Sequence, residues 1–251
     1  MQKRFDKTYD IISNKEICDG YFELKIKAEI GVIKSCRPGQ FFMICVPGVF
    51  LRRPISIHDA QKGEISFLYK IAGKGTKILS QIKEGEISML GPLGNGYPQL
   101  DLKGTLNRII IAGGTGIASV HFLAARLKNK GTLYYGAKTK KDLLCLDKFK
   151  QLGWKTIIST EDGSKGYKGF ITGLLEKKLK SDDCIYVCGP APMMKAVIKT
   201  AKEKCISGYA SLEEKMACGV GNCQGCAVKI AGQIKMTCKD GPVFKINDIE
   251  L

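Results

Sequence analysis

The chain has 251 residues, of which 44% are hydrophobic, and a formal net charge of +16. This length and apolar content suffice for one large or two modest domains with buried cores and exclude a disordered chain, while the 29 glycines follow no collagen-like period. No apolar run approaches the ~20 residues of a membrane span, and no signal-peptide stretch follows the N-terminus. We therefore expect a cytoplasmic protein that makes no contact with a membrane.

The first predicted unit, residues 1–100, has the pattern of short strands. Apolar side chains alternate with mostly charged ones from Phe22 to Ile30, and a second alternation runs from Ile65 to Ile71. A period of two is typical of a half-buried strand. Because Gly and Pro residues separate these stretches at short intervals, we predict an antiparallel β-barrel or sandwich.

The second predicted unit, residues 101–210, has the pattern of an α/β domain. Predicted strands lie at 109–112, 132–137, 155–159 and 184–188, and predicted helices lie at 117–128, 141–152, 170–180 and 192–204. Continuously apolar strands that alternate with helices indicate a parallel sheet covered on both faces. A domain border is therefore expected near residue 100.

The third predicted unit, residues 211–251, is rich in glycine and cysteine. It is too short to build its own core, so something other than hydrophobic burial is expected to hold it together. Four of the chain's eleven cysteines lie in it, and they are Cys218, Cys223, Cys226 and Cys238. Their spacing, C-x4-C-x2-C followed by a more distant cysteine, is that of plant-type [2Fe–2S] ferredoxins.

Small residues between these cysteines support an iron–sulfur cluster. Gly219, Gly221, Gly225 and Ala227 let backbone amides come close to the sulfur atoms. The alternatives are a zinc site and structural cysteines without a ligand, but zinc sites prefer C-x2-C pairs, and the first gap here has four residues. In a reducing compartment a cysteine cluster holds metal or does redox chemistry more often than it forms disulfides. We therefore predict that the four cysteines bind a [2Fe–2S] cluster.

Two glycine turns follow buried strands of the predicted α/β domain. The first is Gly113-Gly114-Thr115-Gly116, and the second is Cys188-Gly189-Pro190, which precedes a helix that holds Met193. Such glycines let a diphosphate approach the helix N-terminus, where free amides favour anions. The first turn lacks the complete G-x-G-x-x-G fingerprint, and a plain tight turn is the alternative. Two such turns at neighbouring strand ends would line one nucleotide cleft.

A third motif lies in the first unit. The run Arg53-Pro54-Ile55-Ser56 is followed about twenty residues later by Gly73-Lys74-Gly75-Thr76. An arginine, a hydroxyl group and a helix start could hold a diphosphate and contact the edge of a flavin ring. A surface arginine and an ordinary helix cap at Thr76 are the alternatives.

The excess positive charge lies mainly in residues 101–210. A basic protein can bind nucleic acid. These lysines, however, are spread over helix-like segments, without an aromatic-interleaved stripe or a recognition motif. We therefore predict a solvated lysine-rich surface and no nucleic-acid partner.

In this order the three motifs resemble the ferredoxin–NADP reductase superfamily and, more closely, the electron-transfer subunits of type B dihydroorotate dehydrogenases. The resemblance covers nearly the whole chain and is most specific in the run 216–226 and the ending 237–244. It implies an antiparallel flavin-binding β-barrel, an α/β parallel-sheet nucleotide domain and a C-terminal [2Fe–2S] module. The stretch between Cys226 and Cys238 is a few residues shorter than in the family, which shortens a surface hairpin and keeps the ligand set.

The resemblance also implies the cofactors. FAD is expected on the barrel, where Arg53, Pro54, Ile55 and Ser56 would meet the flavin. Its other expected neighbours are Leu68, Tyr69 and Lys70, with Gly75 and Thr76 at the diphosphate. NAD(H) is expected at the two glycine turns.

Three carriers in one chain imply an electron relay. NADH would donate a hydride to the flavin across about 3–3.5 Å, and the flavin would divide the electron pair into the single electrons that a cluster accepts. By resemblance, the partner is an FMN-containing catalytic subunit that oxidises dihydroorotate to orotate in pyrimidine synthesis, in a heterotetramer of two of each subunit. The alternative is a subunit of a related NADH-dependent ferredoxin:NADP⁺ oxidoreductase or sulfide dehydrogenase.

The nicotinamide cofactor is predicted to be NAD(H), from the resemblance. After the second strand of the nucleotide domain, residues 136–141 contain no acidic side chain that would favour a free ribose 2′-hydroxyl. Lysines in this stretch could tolerate a 2′-phosphate, although solvated surface is their expected role.

The remaining polar residues suggest no catalytic acid or base. His58 and His121 are isolated in the sequence, so we predict ordinary packing or surface roles for them. Cys36, Cys45 and Cys184 are expected to pack as small apolar residues.

Overall fold

Six antiparallel strands close into a barrel in the first part of the computed structural model, which describes residues 4–98 and 107–250. The strands are β1 (Phe5–Cys18), β2 (Tyr21–Lys27), β3 (Phe41–Ile44), β4 (Arg53–Gln61), β5 (Glu64–Lys70) and β6 (Glu86–Leu93). They follow the order β1-β2-β5-β4-β3-β6 around the barrel. Two helices, α1 (Ile30–Ser35) and α2 (Lys74–Gln81), lie in the connections. The predicted antiparallel β-barrel is confirmed.

The alternating patterns of the barrel strands are only partly what the sequence predicts. In β2, Leu24 and Ile26 are fully buried, but Ile30 is 68% exposed because the strand has ended and α1 begins there. Strand β5 is buried on both faces, since Phe67 points into the barrel core while Leu68 packs in the core of the neighbouring domain. Contact between the two domains thus hides the face that the sequence assigns to solvent.

A parallel sheet covered by helices forms the second domain. Its elements are β7 (Asn107–Gly113), α3 (Ile117–Arg126), β8 (Thr132–Ala137), α4 (Leu146–Gln151), β9 (Lys155–Thr160), β10 (Tyr167–Lys168), α5 (Thr172–Lys178), β11 (Asp183–Cys188), α6 (Ala191–Glu203) and β12 (Ser207–Ser211). These strands are hydrogen-bonded in the order β10-β9-β8-β7-β11-β12, all parallel. The predicted α/β parallel sheet is confirmed. Its strand order reverses between β7 and β11, where open parallel sheets bind ligands.

The predicted helix over 141–152 is wrong in its first half. A 3-10 turn occupies Lys140–Asp142, where Thr139 accepts a hydrogen bond from the amide of Lys141 and the Asp142 carboxylate accepts one from Thr139. Cys145 then has a left-handed φ of 59°, so a continuous helix cannot pass through it. Only α4 remains helical.

The C-terminal unit consists of a hairpin and a strand shared with the parallel sheet. Strands β13 (Ala227–Ile230) and β14 (Gln233–Met236) form the hairpin, and β15 (Val243–Lys245) pairs antiparallel with β12. Phe244, Ile246 and Ile249 are buried in the core of the second domain. Hydrophobic burial therefore does help to hold this unit, contrary to the prediction, because the neighbouring domain supplies the core that the unit lacks.

The ranges predicted for the three units stay a prediction. The first border, at residue 100, lies outside the described residues, and the second falls within β12. Among the residues that the structure describes, no helix has the length and apolar character to cross a membrane. Cys36 and Cys184 are buried as expected, whereas Cys45 is exposed, so its predicted packing role is wrong.

Candidate functional site

A cavity of about 300 Å³ lies where the barrel, the parallel sheet and the C-terminal unit meet. It is called the inner cavity below. The predicted residues that line it are Pro54, Ile55, Ser56, Leu68, Tyr69, Lys70, Thr115 and Cys188. Four segments that are distant in sequence thus converge on one space, and they are the start of β4, the end of β5 and the ends of β7 and β11. Met216, two residues before Cys218, lines it from the C-terminal unit.

Arg53 and the first turn of α2 lie together beside this cavity without lining it. A Cβ at Gly75 would collide with the Arg53 side chain, so the glycine lets the guanidinium group lie against the helix start. The Thr76 hydroxyl accepts hydrogen bonds from the amides of Ala72 and Gly73, at 2.8 and 3.2 Å. The Thr76 hydroxyl therefore caps the first turn of α2, and its place at a diphosphate stays a prediction.

A second cavity, of about 520 Å³, lies at the carboxyl ends of the parallel strands and is called the outer cavity. The predicted residues that line it are Gly113, Gly114, Thr115, Pro190 and Met193, together with Lys70 from the barrel. Lys70 and Thr115 line both cavities. A ligand in one cavity would therefore meet a ligand in the other at these two residues.

Gly116 and Gly189 do not line the outer cavity; they let its two glycine turns touch. A Cβ at Gly116 would collide with the carbonyl group of Cys188, and one at Gly189 would lie 2.9 Å from the amide nitrogen of Gly113. Burial, and after it the charge of Glu213, raises the pKa of the Cys188 thiol to about 12, so this thiol is neutral where it lines the inner cavity.

A polar chain at the junction of the cavities was not predicted as a unit. Lys70 donates a hydrogen bond of 3.0 Å to the Tyr21 hydroxyl, which donates one of 3.1 Å to Asp142. The bond to Tyr21 raises the pKa of Lys70, so its ammonium group stays charged. Asp142 lies 121 residues from Tyr21, and no local sequence signal links them.

Further residues of the outer cavity come from the ends of β8 and β9 and from the segment after β10, of which only the stretch after β8 was expected to face the nucleotide. These are Gly136, Lys138, Ser159, Glu161 and Phe170. The Glu161 amide donates a hydrogen bond of 3.1 Å to the carbonyl of Ala137, which holds the end of β9 against the end of β8. The end of β8 has no acidic side chain, but Glu161, which follows β9, brings one to the same cavity.

The four predicted cluster cysteines lie in and beside one loop on the outside of the barrel. Cys226 and Cys238 are buried against Phe41, Met43 and Leu93. Cys223, by contrast, is exposed. A Cβ at Gly219, whose φ is 72°, would lie 2.6 Å from the Met43 side chain, so only glycine lets the loop rest this close to β3.

Backbone amides in this loop point at the sulfur atoms. The amides of Val220 and Cys223 donate to Cys218 Sγ at 3.4 Å, and the amide of Gly221 donates to Cys238 Sγ at 3.1 Å. Burial tends to raise the pKa of Cys218, but these hydrogen bonds outweigh it and lower that pKa to about 6. Burial, with Cys226 next, raises the pKa of Cys238 to about 12.

This loop fits a two-iron cluster by the chemistry of its donors. Thiolates are the ligands that such clusters need, and amide donors to sulfur are among the features that tune them. Within residues 4–98 and 107–250, no three His, Cys, Asp or Glu side chains converge on a single metal position. A [2Fe–2S] cluster does not require such a group, since each iron takes two protein ligands.

Models of two known protein families match parts of the chain. The iron-sulfur cluster binding domain of dihydroorotate dehydrogenase B matches residues 213–250. The oxidoreductase NAD-binding domain matches residues 110–199.

Curated relatives extend the similarity over nearly the whole chain. The dihydroorotate dehydrogenase B (NAD(+)) electron transfer subunit of Clostridium acetobutylicum is 41% identical, over 95% of this chain and 94% of that protein. The protein of the same name from Caldanaerobacter subterraneus subsp. tengcongensis is 39% identical, over 95% of this chain and 96% of that protein.

Solved structures share the fold. That of an NADH-dependent reduced ferredoxin-NADP oxidoreductase superposes with a TM-score of 0.85 at 32% identity, covering 96% of this chain and 89% of that one. A ferredoxin NADP⁺ reductase from Neisseria gonorrhoeae, solved with FAD and NADP, has a TM-score of 0.68 at 15% identity, over 79% of this chain and 91% of that one.

Proposed function

Because this chain belongs to the electron-transfer subunits of NAD⁺-dependent dihydroorotate dehydrogenase B, we propose that its two cavities and its cysteine loop form one electron path. FAD would occupy the inner cavity, NAD(H) the outer one, and a [2Fe–2S] cluster the loop. The observation that carries this proposal is the continuity of the three regions. Lys70 and Thr115 line both cavities, and Met216 links the inner cavity to Cys218.

The inner cavity suits a flavin dinucleotide. Its apolar walls, Ile55, Leu68 and Tyr69, can cover the rings, while Ser56 and Lys70 offer polar groups. Arg53 and the amides at the start of α2, beside Gly75, would hold the diphosphate, since positive charge and free amides favour anions.

The outer cavity suits NAD(H). The glycine turn from Gly113 to Gly116 and the turn at Pro190 can accept a diphosphate close to the backbone. When bound, NAD(H) supplies a hydride, FAD exchanges that electron pair for single electrons, and the cluster carries them one at a time. The protein orients the two rings, and Lys70, held by Tyr21 and Asp142, provides a fixed positive charge between them.

Cys218, Cys223, Cys226 and Cys238 would bind the cluster. The exposed position of Cys223 would leave one side of the cluster open to another protein, which an electron-transfer subunit needs. The low pKa of Cys218 favours the thiolate that binds iron.

The partner would be an FMN-containing catalytic subunit that oxidises dihydroorotate to orotate, in a heterotetramer with two copies of each subunit. Electrons would then flow from dihydroorotate through this chain to NAD⁺. In this role the chain does not need to bind dihydroorotate itself.

Co-expression with a type B catalytic subunit tests this function. We expect a stable complex that contains FAD, iron and sulfide and oxidises dihydroorotate with NAD⁺. The alternative follows from the similarity to the NADH-dependent reduced ferredoxin-NADP oxidoreductase. It predicts no association with that subunit and NADH-dependent reduction of ferredoxin, and this result would overturn the proposal.

A further inference from the structure

The two histidines of the chain are neither separate nor on the surface. His58 on β4 and His121 on α3 are buried, with only 1% and 6% of their surface exposed. Their rings stack, with centroids 4.3 Å apart and planes at 24°. Both packing roles predicted from the sequence thus belong to a single contact between the barrel and the parallel-sheet domain.

Two hydrogen bonds cross this contact in opposite directions. His58 Nδ1 lies 3.0 Å from the carbonyl oxygen of Ala118, and His121 Nδ1 lies 3.2 Å from the carbonyl oxygen of His58. A carbonyl oxygen only accepts hydrogen bonds, so both Nδ1 atoms are assigned a proton. These two hydrogen bonds hold β4 against α3 at the position of His58.

A lysine completes the arrangement from a third element. Because Nδ1 of the neutral His58 ring donates, its Nε2 can accept, and Lys148 Nζ on α4 lies 3.3 Å away. The same ammonium group donates to Glu23 on β2 at 2.7 Å. Lys148 therefore joins the histidine pair to a second barrel strand.

The pair sits between the two segments that carry the cofactor motifs. His58 lies two residues after Ser56 on the same strand, and Ser56 lines the inner cavity. Its partner Ala118 also lines that cavity and lies two residues after Gly116, at the end of the first glycine turn. A shift of β4 against α3 would therefore displace the flavin side of the site relative to the nucleotide side.

We propose that His58 and His121 are positioning residues that fix the flavin strand against the dinucleotide turn and thereby set the distance for hydride transfer. This inference rests on the proposed function. An apolar pair could fill the same space but would not fix the position of β4 along α3, because hydrophobic contact is non-directional. Displacement of reacting groups by about 1 Å can slow a reaction about 100-fold.

Burial keeps both rings neutral near pH 7. Burial lowers the pKa of His58 well below its usual range, and the nearby His121 and Lys148 lower it further. Burial also lowers the pKa of His121. The other titratable groups around the pair are Glu23 and Lys25 of β2, Asp59 of β4, Glu64 of β5 and, next to α4, the uncharged Cys145 thiol. Neutral rings are the state in which both hydrogen bonds and the Lys148 contact can form.

Three variants of the FAD- and cluster-loaded protein test the proposal. His58→Leu removes the hydrogen bonds of the ring, whereas His58→Asn keeps a donor near the position of Nδ1. Phe122→Leu is the matched control, because Phe122 lies on the same helix and is fully buried against the barrel core. Stopped-flow mixing with NADH gives the limiting rate of flavin reduction and the dissociation constant of NADH.

We expect His58→Leu to lower the limiting rate about 10- to 100-fold while the dissociation constant of NADH stays nearly constant. His58→Asn should restore most of the rate, and Phe122→Leu should lower thermal stability but keep the rate. Equal loss of rate in His58→Leu and Phe122→Leu, or no loss in either, would overturn the proposal. If His58→Leu does not fold, His121→Gln replaces it in the same comparison.

Amide hydrogen exchange of the cofactor-free protein gives a second readout. His58→Leu should speed amide exchange at the start of α3 and in β4 more than Phe122→Leu does. Equal protection in the two variants would contradict the positioning role of the histidines. If NADH fails to reduce the flavin of the wild-type protein, the proposed function is wrong. The exchange experiment still decides whether the pair holds the two segments together.

Discussion

At the scale of single residues, the cysteine loop combines buried and exposed sulfur atoms. Cys226 is 1% exposed and packs against the outside of the barrel, while Cys223 is open to solvent. The buried cysteines would therefore hold a cluster against the barrel, while Cys223 would face solvent.

Replacing Cys226 with serine is expected to abolish the cluster, because a hydroxyl group is a poor substitute for a buried thiolate ligand. Iron and acid-labile sulfide should be lost from the purified protein while flavin remains. Cys45→Ser is the control, since Cys45 is exposed and outside the loop. Full iron content in Cys226→Ser would refute the ligand assignment.

The buried histidines predict a pH dependence of stability. Burial lowers the pKa of His58 in the folded protein, so between this pKa and the ordinary value near 6.5 the unfolded chain binds more protons. The free energy of unfolding should therefore fall as the pH drops below about 6.5, by at most about 1.4 kcal/mol per pH unit for each histidine. Urea unfolding of the wild-type protein and of His58→Asn between pH 5 and 7 measures this pH dependence. The same pH dependence in both proteins would show that His58 does not cause it.

Glu161 gives a prediction about the choice of nucleotide. Its carboxylate lines the outer cavity near Lys138 and would repel a 2′-phosphate. We expect NADH to be preferred by the wild-type protein, and Glu161→Gln to raise kcat/KM for NADPH relative to NADH. A wild-type preference for NADPH, or an unchanged ratio in the variant, would contradict this role.

At the scale of elements, the two glycine turns act as one unit. Gly116 lies so close to the Cys188 carbonyl that any side chain must push the ends of β7 and β11 apart. The sequence predicts both turns, because each follows a buried strand. It also predicts that they share one cleft, but the close contact of Gly116 with the Cys188 carbonyl could not be predicted, since it depends on the register of strands more than seventy residues apart.

Gly116→Ala is expected to weaken NADH binding and to cost about 1–3 kcal/mol of stability through overpacking. Flavin content should change less than NADH affinity, because most of the predicted flavin neighbours that line the inner cavity lie on the barrel. Gly31→Ala is the matched control, as no atom lies within 4 Å of a Cβ at that position. NADH titration and thermal unfolding check both variants, and unaltered NADH affinity in Gly116→Ala would show that the contact between the turns does not shape the site.

At the scale of the whole molecule, features that are local in sequence could be predicted and features that join domains could not. The cysteine spacing, the strand-turn-helix signals and the order of domains are each contained in short segments. The Tyr21–Asp142 hydrogen bond and the stacking of His58 on His121 join residues far apart in the chain. Burial of both faces of β5 has the same origin, because the hidden face meets another domain.

In the proposed relay, electrons pass between NAD(H) and the partner subunit only through the carriers of this chain. The most direct test mixes NADH anaerobically with the loaded complex and follows both flavins and the cluster by absorbance and electron paramagnetic resonance. We expect all carriers of the wild-type complex to be reduced. With Cys226→Ser, only the flavin on this chain should be reduced, while the partner's flavin stays oxidised. Equally fast reduction of the partner's flavin without the cluster would show that electrons bypass the cluster.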